Sequence, residues 1–232
     1  KYHVVVTNPP YMGSANMSPT LLSHIQKNFP NSKSDLCTVF VEVIKSMIVD
    51  SGFSGFMTSY TWMFLTTFEQ FRKELLADCS ILSLIQPEYH AFFDSAYVPI
   101  CSFILHKKTI NNFKGGYVRL NNFYGAEQQE IKYLEAIRSE ECHHLYRTNQ
   151  YQYSRIPGSP IAYWISQSII DAFNNGKQIG TLALPRQGLA TGDNDRFLRE
   201  WYEVVFSNIG FGCTSTEAFH RLGYAYAPYN KG

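Results

Sequence analysis

Asn8-Pro9-Pro10-Tyr11 stands directly after the apolar run HVVVT. Each residue type brings a separate capability. Asn8 offers a carboxamide oxygen. Two consecutive prolines cannot donate to a ladder or continue a helix, so a strand must end there, and the locked φ of Pro9 makes its backbone carbonyl a second rigid acceptor. Tyr11 adds an aromatic face. An exocyclic amine on a heteroaromatic ring, such as adenine N6, is a poor nucleophile because its lone pair is delocalised. Two acceptors that hold its hydrogens favour rehybridisation and direct the lone pair at an electrophilic methyl group, without being methylated themselves. The tyrosine ring gives the base a stacking surface worth about 1–3 kcal/mol. Inside a duplex that amine is paired, so the base has to be rotated out into an open pocket. The plain alternative is a two-proline turn that closes a strand. The apolar run before the motif and the Gly/Ser-containing loop after it are the context the chemical reading requires.

Other constellations carry less. GLATGDNDRF (188–197) gathers Gly192, Asp193, Asn194 and Asp195, which reads as a tight turn held by Asx side chains. A calcium loop would need more widely spaced oxygens and a distal Glu. His143, His144 and the other histidines show no ligand spacing and read as surface residues. The five cysteines (Cys37, Cys79, Cys101, Cys142, Cys213) are odd in number and form no C-x-x-C pair, so they read as reduced thiols rather than a disulfide frame or a zinc site. No serine or cysteine nucleophile is framed by a base, and there is no Walker loop.

The elements that must position Asn8–Tyr11 follow from periodicity. HVVVT (3–7) is a short β-branched run of the kind buried in a parallel sheet. A polar loop with a short helix near 19–28 leads to Asp35, a candidate N-cap for LCTVFVEVIKSMIVDSG, whose apolar residues recur at helical spacing up to Gly52. GFMTSYTWM (55–63) reads as a strand, TTFEQFRKELLAD (66–78) as a helix, and SILSLIQP (80–87) and VPICSFILHKK (98–108) as strands. YVRLNNF (117–123) reads as extended. The pattern predicts an α/β fold: the C-terminal half of a Rossmann-like sheet, parallel with an antiparallel edge strand, with ligands beyond the carboxyl ends of the strands. After residue 124 the texture changes to one charged helix (125–141) and a Tyr-, Gly- and Pro-rich stretch. The predicted division is therefore 1–123 for the catalytic part, and 124–232 for a linker helix and the start of a mixed α+β recognition region.

Composition bounds the partners. The chain has 232 residues, 45% hydrophobic and 17% charged, which is globular rather than disordered. With a net charge of +1, global charge gives no argument for nucleic acid, so a basic face would have to be local. No apolar stretch approaches the roughly 20 residues of a membrane span. Reduced thiols and the lack of a signal peptide lead to the expectation of a cytoplasmic protein without a membrane partner.

At this point the chain resembles a known family, the DNA adenine-N6 methyltransferases, and within it the PglX type of BREX phage-defence systems and the fused type IIG restriction–modification enzymes. NPPYMG, the unit DLCTVFVEVIKSMIVDSGFSGF, RQGLATGDNDRFLREWYEV and APYNKG carry the likeness, which is weakest over 124–185. The resemblance implies that Asn8, Pro9, Pro10 and Tyr11 form the catalytic motif, with Asn8 and the Pro9 carbonyl binding the target amine and Tyr11 stacking on the adenine, and that residues near Pro10 and in the following helix border the cofactor. It also implies a second aromatic on the other face of the base. FFDSAYVPICSFIL places Phe93 there, with Phe92 as the alternative and ordinary core packing as the competing explanation. Arg186, Gln187 and Arg196 become candidate DNA contacts, equally compatible with simple solvation. The implied cofactor is S-adenosylmethionine, with no metal in the methyl transfer. The implied partners are double-stranded DNA and other defence-system subunits.

In that family the Gly-rich cofactor loop precedes NPPY, and only seven residues precede Asn8 here. NIGFGCTS (208–215) is the one candidate for a permuted loop and reads better as a turn. The expectation is thus a fragment carrying the target-base half of a site, inactive alone. Two rivals remain. A protein-glutamine or RNA methyltransferase would also use NPPY to hold an amide or amine, and a non-catalytic DNA-binding or assembly subunit of a defence complex is the rival from another class.

Overall fold

The computed structural model describes residues 1–91, 99–139, 141–184 and 191–230. They form two compact units, Lys1–Lys177 and Gln178–Gly232.

The first unit begins with β1 (Tyr2–Thr7). Helix α1 (Pro19–Asn28) follows, started by Ser18, whose hydroxyl accepts from Leu21 N, and by Pro19 at the first helical position. Asp35 caps α2 (Leu36–Met47) as expected, its carboxylate accepting from Cys37 N at 2.9 Å. The end of α2 differs from expectation. Gly52 does not close the helix: β2 (Ile48–Ser59) starts at once, and Gly52 lies within it. A Cβ there would come within 3.0 Å of the carbonyl oxygens of His3 and Val49, so close backbone approach inside the strand, rather than helix termination, is what calls for glycine. Then come α3 (Glu69–Asp78), β3 (Ser80–Gln86), β4 (Ile100–His106), β5 (Lys114–Arg119) and α4 (Ala126–Arg138). Two elements had no clear periodic signal: β6 (Leu145–Asn149), and, after the short α5 (Tyr151–Ser154), helix α6 (Gln167–Asn175).

The six strands are ordered β1-β2-β4-β3-β5-β6. β1 is parallel to β2 and β3 to β5, while β4 runs against both its neighbours and β6 against β5. Four strands therefore point one way. This is the mixed α/β sheet expected, with one refinement: an antiparallel strand, β4, lies inside the sheet as well as one, β6, at its edge. β4 follows β3 in sequence, pairs antiparallel with it and lies between β2 and β3.

The main core joins Ile44 of α2, Phe71 and Leu75 of α3 and the sheet residues Phe56, Leu84 and Phe103, and it extends to Tyr153, Ile161 and Tyr163. Residues 124–177 thus share a unit with the sheet, although their composition sets them apart. β1 departs from the buried-strand expectation: Val5 packs against the main core, but Val4 and Val6, on the opposite face, are 59% and 76% exposed. No helix among the described residues is long and apolar enough to cross a membrane.

The second unit is built from short pieces: α7 (Ile179–Leu182), α8 (Asn194–Phe197), two 3-10 turns and α9 (Thr216–Arg221). EVVF (203–206) forms no strand. NIGFGCTS is a turn, as read. Ile209 bridges to Tyr226, Gly210 N donates to Tyr226 O at 2.8 Å, and Gly212 takes φ +74°.

Candidate active site at the carboxyl end of the sheet

Asn8-Pro9-Pro10-Tyr11 leaves the carboxyl end of β1, one residue beyond the Thr7–Phe56 pairing. Pro9 is buried, while Asn8, Pro10 and Tyr11 are exposed. The Tyr11 hydroxyl donates to Asn8 Oδ1 at 2.8 Å and lies 3.4 Å from Met57 O on β2. This contact orients the Asn8 amide, with its oxygen towards the tyrosine. A carboxamide oxygen has two lone pairs, so one remains for an incoming N–H. Loss of solvation first, then the neighbouring Cys37 and Cys101, push the Tyr11 hydroxyl up to about 12, so it stays a donor throughout the neutral range.

The loop after Tyr11 is tied down by α2. Leu36 N donates to Met12 O at 2.9 Å, Ser14 N to Ser34 O at 3.0 Å, and Gly13 bridges to Asp35. Met17, Ile25 and Val39 form a small core beneath it. Just beyond the neighbouring strand β2, buried Trp62 donates its indole N–H to Thr58 Oγ1 on that strand at 3.1 Å, and Thr58 in turn donates to Ser59 O. Trp62 and Leu65 are held through their carbonyls by the buried Arg72 guanidinium, which also binds the carbonyls of Gly158 and Ser159. The backbone on both sides of the motif is therefore fixed by hydrogen bonds.

The same end of the sheet carries an aromatic rim that spacing does not single out. Tyr60 follows β2 and lies 6.1 Å, centroid to centroid, from both Phe64 and Tyr89. Phe64 meets Trp164 edge-on at 5.6 Å, and the Arg119 guanidinium stacks 4.3 Å from the Trp164 ring. Read from sequence, Tyr60–Met63 belong to the strand GFMTSYTWM, whereas β2 ends at Ser59, so only the place of Phe64 just beyond a strand was legible. Trp164 was not, because it is brought in from far along the chain.

The other candidate residues fall elsewhere. Phe92, Phe93, Arg186 and Gln187 lie outside the described residues. Arg196 is on α8 of the second unit, exposed, its guanidinium 5.0 Å from the Phe197 ring. The surface reading holds for His143 but not for His144, which is 8% exposed and packs on Phe123. All five cysteines are free, and burial pushes the thiols of Cys79 and Cys101 up to about 11 and about 12. No described residue offers a Gly-rich cradle for S-adenosylmethionine. At Gly210 a Cβ would come within 2.8 Å of the Phe219 ring, so that glycine is filled by a side chain and not by space for a ligand.

Three comparisons bear on this arrangement. Residues 1–93 match the family described as Eco57I restriction-modification methylase. The chain is 34% identical to the adenine-specific methyltransferase PglX of Lacticaseibacillus casei (strain Zhang), with all of this chain and 19% of the relative aligned. It is 32% identical to the adenine-specific methyltransferase BrxX of Escherichia coli O9:H4 (strain HS), over 90% of this chain and 17% of the relative. The chain thus spans about a fifth of the length of these curated relatives. Its fold is similar to the type I restriction-modification methyltransferase subunit from Streptococcus thermophilus, with a TM-score of 0.50, 16% identity, and coverage of 70% of this chain and 37% of that one. Identity that extends from β1 through the second unit is more than a shared four-residue motif: the chain is similar along its length to a stretch of the adenine-specific methyltransferases PglX and BrxX, and its first 93 residues match the restriction-modification methylase family.

Proposed function

We propose that this chain carries the target-base side of a site-specific DNA adenine-N6 methyltransferase acting in cytoplasmic phage defence. One observation carries the reading: Asn8 Oδ1 sits at the carboxyl end of a strand, exposed, oriented by Tyr11, and with a lone pair to spare. In this mechanism an adenine rotates out of the duplex and its N6 hydrogens are accepted by Asn8 Oδ1 and the Pro9 carbonyl. The Tyr11 ring stacks on one face and Phe93 on the other. The Tyr11 hydroxyl keeps the Asn8 oxygen, rather than its NH2, turned towards the amine. Pro10 keeps the turn rigid. Arg196, Arg186 and Gln187 contact the DNA outside the base pocket, and further subunits of a defence complex are partners.

S-adenosylmethionine supplies the methyl group in this reading. The described residues do not fit that cofactor by themselves, so every step assigned here belongs to the amine-binding residues. Isolated, the chain is expected to be inactive.

In the methyltransferase that contains this chain, Asn8→Ala is expected to lower adenine methylation by roughly 10²–10³-fold, the usual loss when one preorganised polar group is removed from a reacting centre. Thermal melting should not change, because Asn8 is exposed. An unaltered rate in a folded variant overturns the mechanism. The same assay on RNA and on a glutamine-containing peptide separates the rival substrates.

A further inference from the structure

We propose that Glu135, Cys142 and His144 form a binding site for a divalent cation of the zinc class, joining α4 to the chain that enters β6. The carboxylate, thiol and imidazole donor atoms lie within 4.8 Å of one another. Thiolate, imidazole and carboxylate together are the donor set that zinc favours.

The orientation of His144 supports this. Its Nε2 is 2.7 Å from Lys132 O, a carbonyl that can only accept, so Nε2 carries the proton and Nδ1 carries the free lone pair. A ligating histidine characteristically donates its other ring N–H to such a backbone carbonyl, which fixes both tautomer and ring direction. Phe123 packs edge-on against the same ring at 5.0 Å. Cys142 Sγ lies over the ring, 3.1 Å from both Nδ1 and Nε2, and both Cys142 and His144 are only 8% exposed. A cation on Nδ1, with bonds of about 2.3 Å to sulfur and about 2.0 Å to nitrogen, would draw the thiolate from the ring face towards the Nδ1 side.

Glu135 closes the site from α4. It now pairs with Lys132 Nζ at 2.6 Å, but a carboxylate has a second oxygen to offer. A water completes four-coordination. On binding, the Cys142 S–H bond breaks, the sulfur–metal bond forms and the thiol proton leaves to solvent, so affinity rises with pH.

The test uses this chain, stripped with a chelator and titrated with Zn²⁺ or Co²⁺. The expected result is one equivalent of metal and, with Co²⁺, a thiolate-to-metal charge-transfer band that disappears in Cys142→Ser. Glu135→Gln, on the exposed side of α4, should weaken binding by roughly 10–100-fold while the metal-free melting temperature stays the same. No stoichiometric binding, a Co²⁺ spectrum without the thiolate band, or binding indifferent to both substitutions overturns the proposal and leaves a thiol–imidazole hydrogen bond. Should Cys142→Ser fail to fold, the band in the unmodified chain and the Glu135→Gln affinity still decide. Neither readout involves methylation, so the outcome is independent of the proposed function.

Discussion

The two units hold their side chains by different means. In the first, partners come from far along the chain. Arg72 on α3 binds the carbonyls of Trp62, Leu65, Gly158 and Ser159; Gln150 joins Leu76 O, Cys79 O and Ile81 N; and the Tyr163 hydroxyl donates to Gln86 at 2.7 Å. In the second, most partners are three or four residues away. Asp193 caps α8 through Arg196 N, Glu200 and Glu203 form a capping box, and Ser215 caps α9 through Ala218 N. Ile209 is the one buried apolar residue of the second unit among those described, while Leu184, Trp201 and Phe206 are 77%, 75% and 71% exposed. Capping chemistry is enough to shape a turn. A core needs two apolar surfaces facing each other, and only the first unit assembles them.

Alkaline pH should separate the units most sharply. Burial raises Cys79 from 9.0 to about 11, Cys101 from 9.0 to about 12 and Tyr117 from 10.0 to about 12. Each group is held neutral in the fold, so its contribution is complete below its unfolded pKa and is lost as pH rises through the folded value. Within its window each costs about 1.4 kcal/mol per pH unit. Denaturant unfolding of the first unit should be flat up to about pH 9 and should weaken steeply from there towards pH 12. A flat profile to pH 11 would show that these groups are not buried as described.

Next in size is Arg72→Met. It leaves buried carbonyls without donors, each costing about 1–3 kcal/mol, and we expect at least about 3 kcal/mol less stability by urea titration. A loss below about 1 kcal/mol would mean that water replaces the guanidinium, and that the first unit relies less on its distant partners than the comparison holds. The smallest effect belongs to the second unit. Asp193→Ala should cost about 0.5–2 kcal/mol locally, read as faster hydrogen exchange at the Arg196 amide, with urea unfolding of the first unit unchanged. A shift of the whole unfolding curve would break the comparison by coupling the two.

The local signals in the sequence were sound where one stretch of chain contains its own cause. Asp35 places the start of α2, and apolar spacing places its body. The double proline ends β1 at Asn8 because a residue without an N–H cannot extend a ladder. For the same reason the residues proposed to grip the amine were legible: Asn8, Pro9 and Tyr11 are neighbours in sequence. The end of α2 was misread because Gly52 served a neighbouring strand, and no local rule reports how closely another backbone will pass.

The sequence by itself determined most element types from β1 to α4, the strand end that presents Asn8, and the acceptors and aromatic ring that Asn8-Pro9-Pro10-Tyr11 offers. Only the tertiary structure decided that β4 enters between β2 and β3, that the Tyr11 hydroxyl holds the Asn8 oxygen, and that Trp164 and Arg119 join the rim at the same end of the sheet. It alone brought Glu135 to Cys142 and His144, whose spacing matches no familiar ligand pattern. The physical reason is one of range. Proline, capping residues and apolar periodicity act over a few residues, whereas strand order, burial and converging side chains depend on which distant surfaces bury one another.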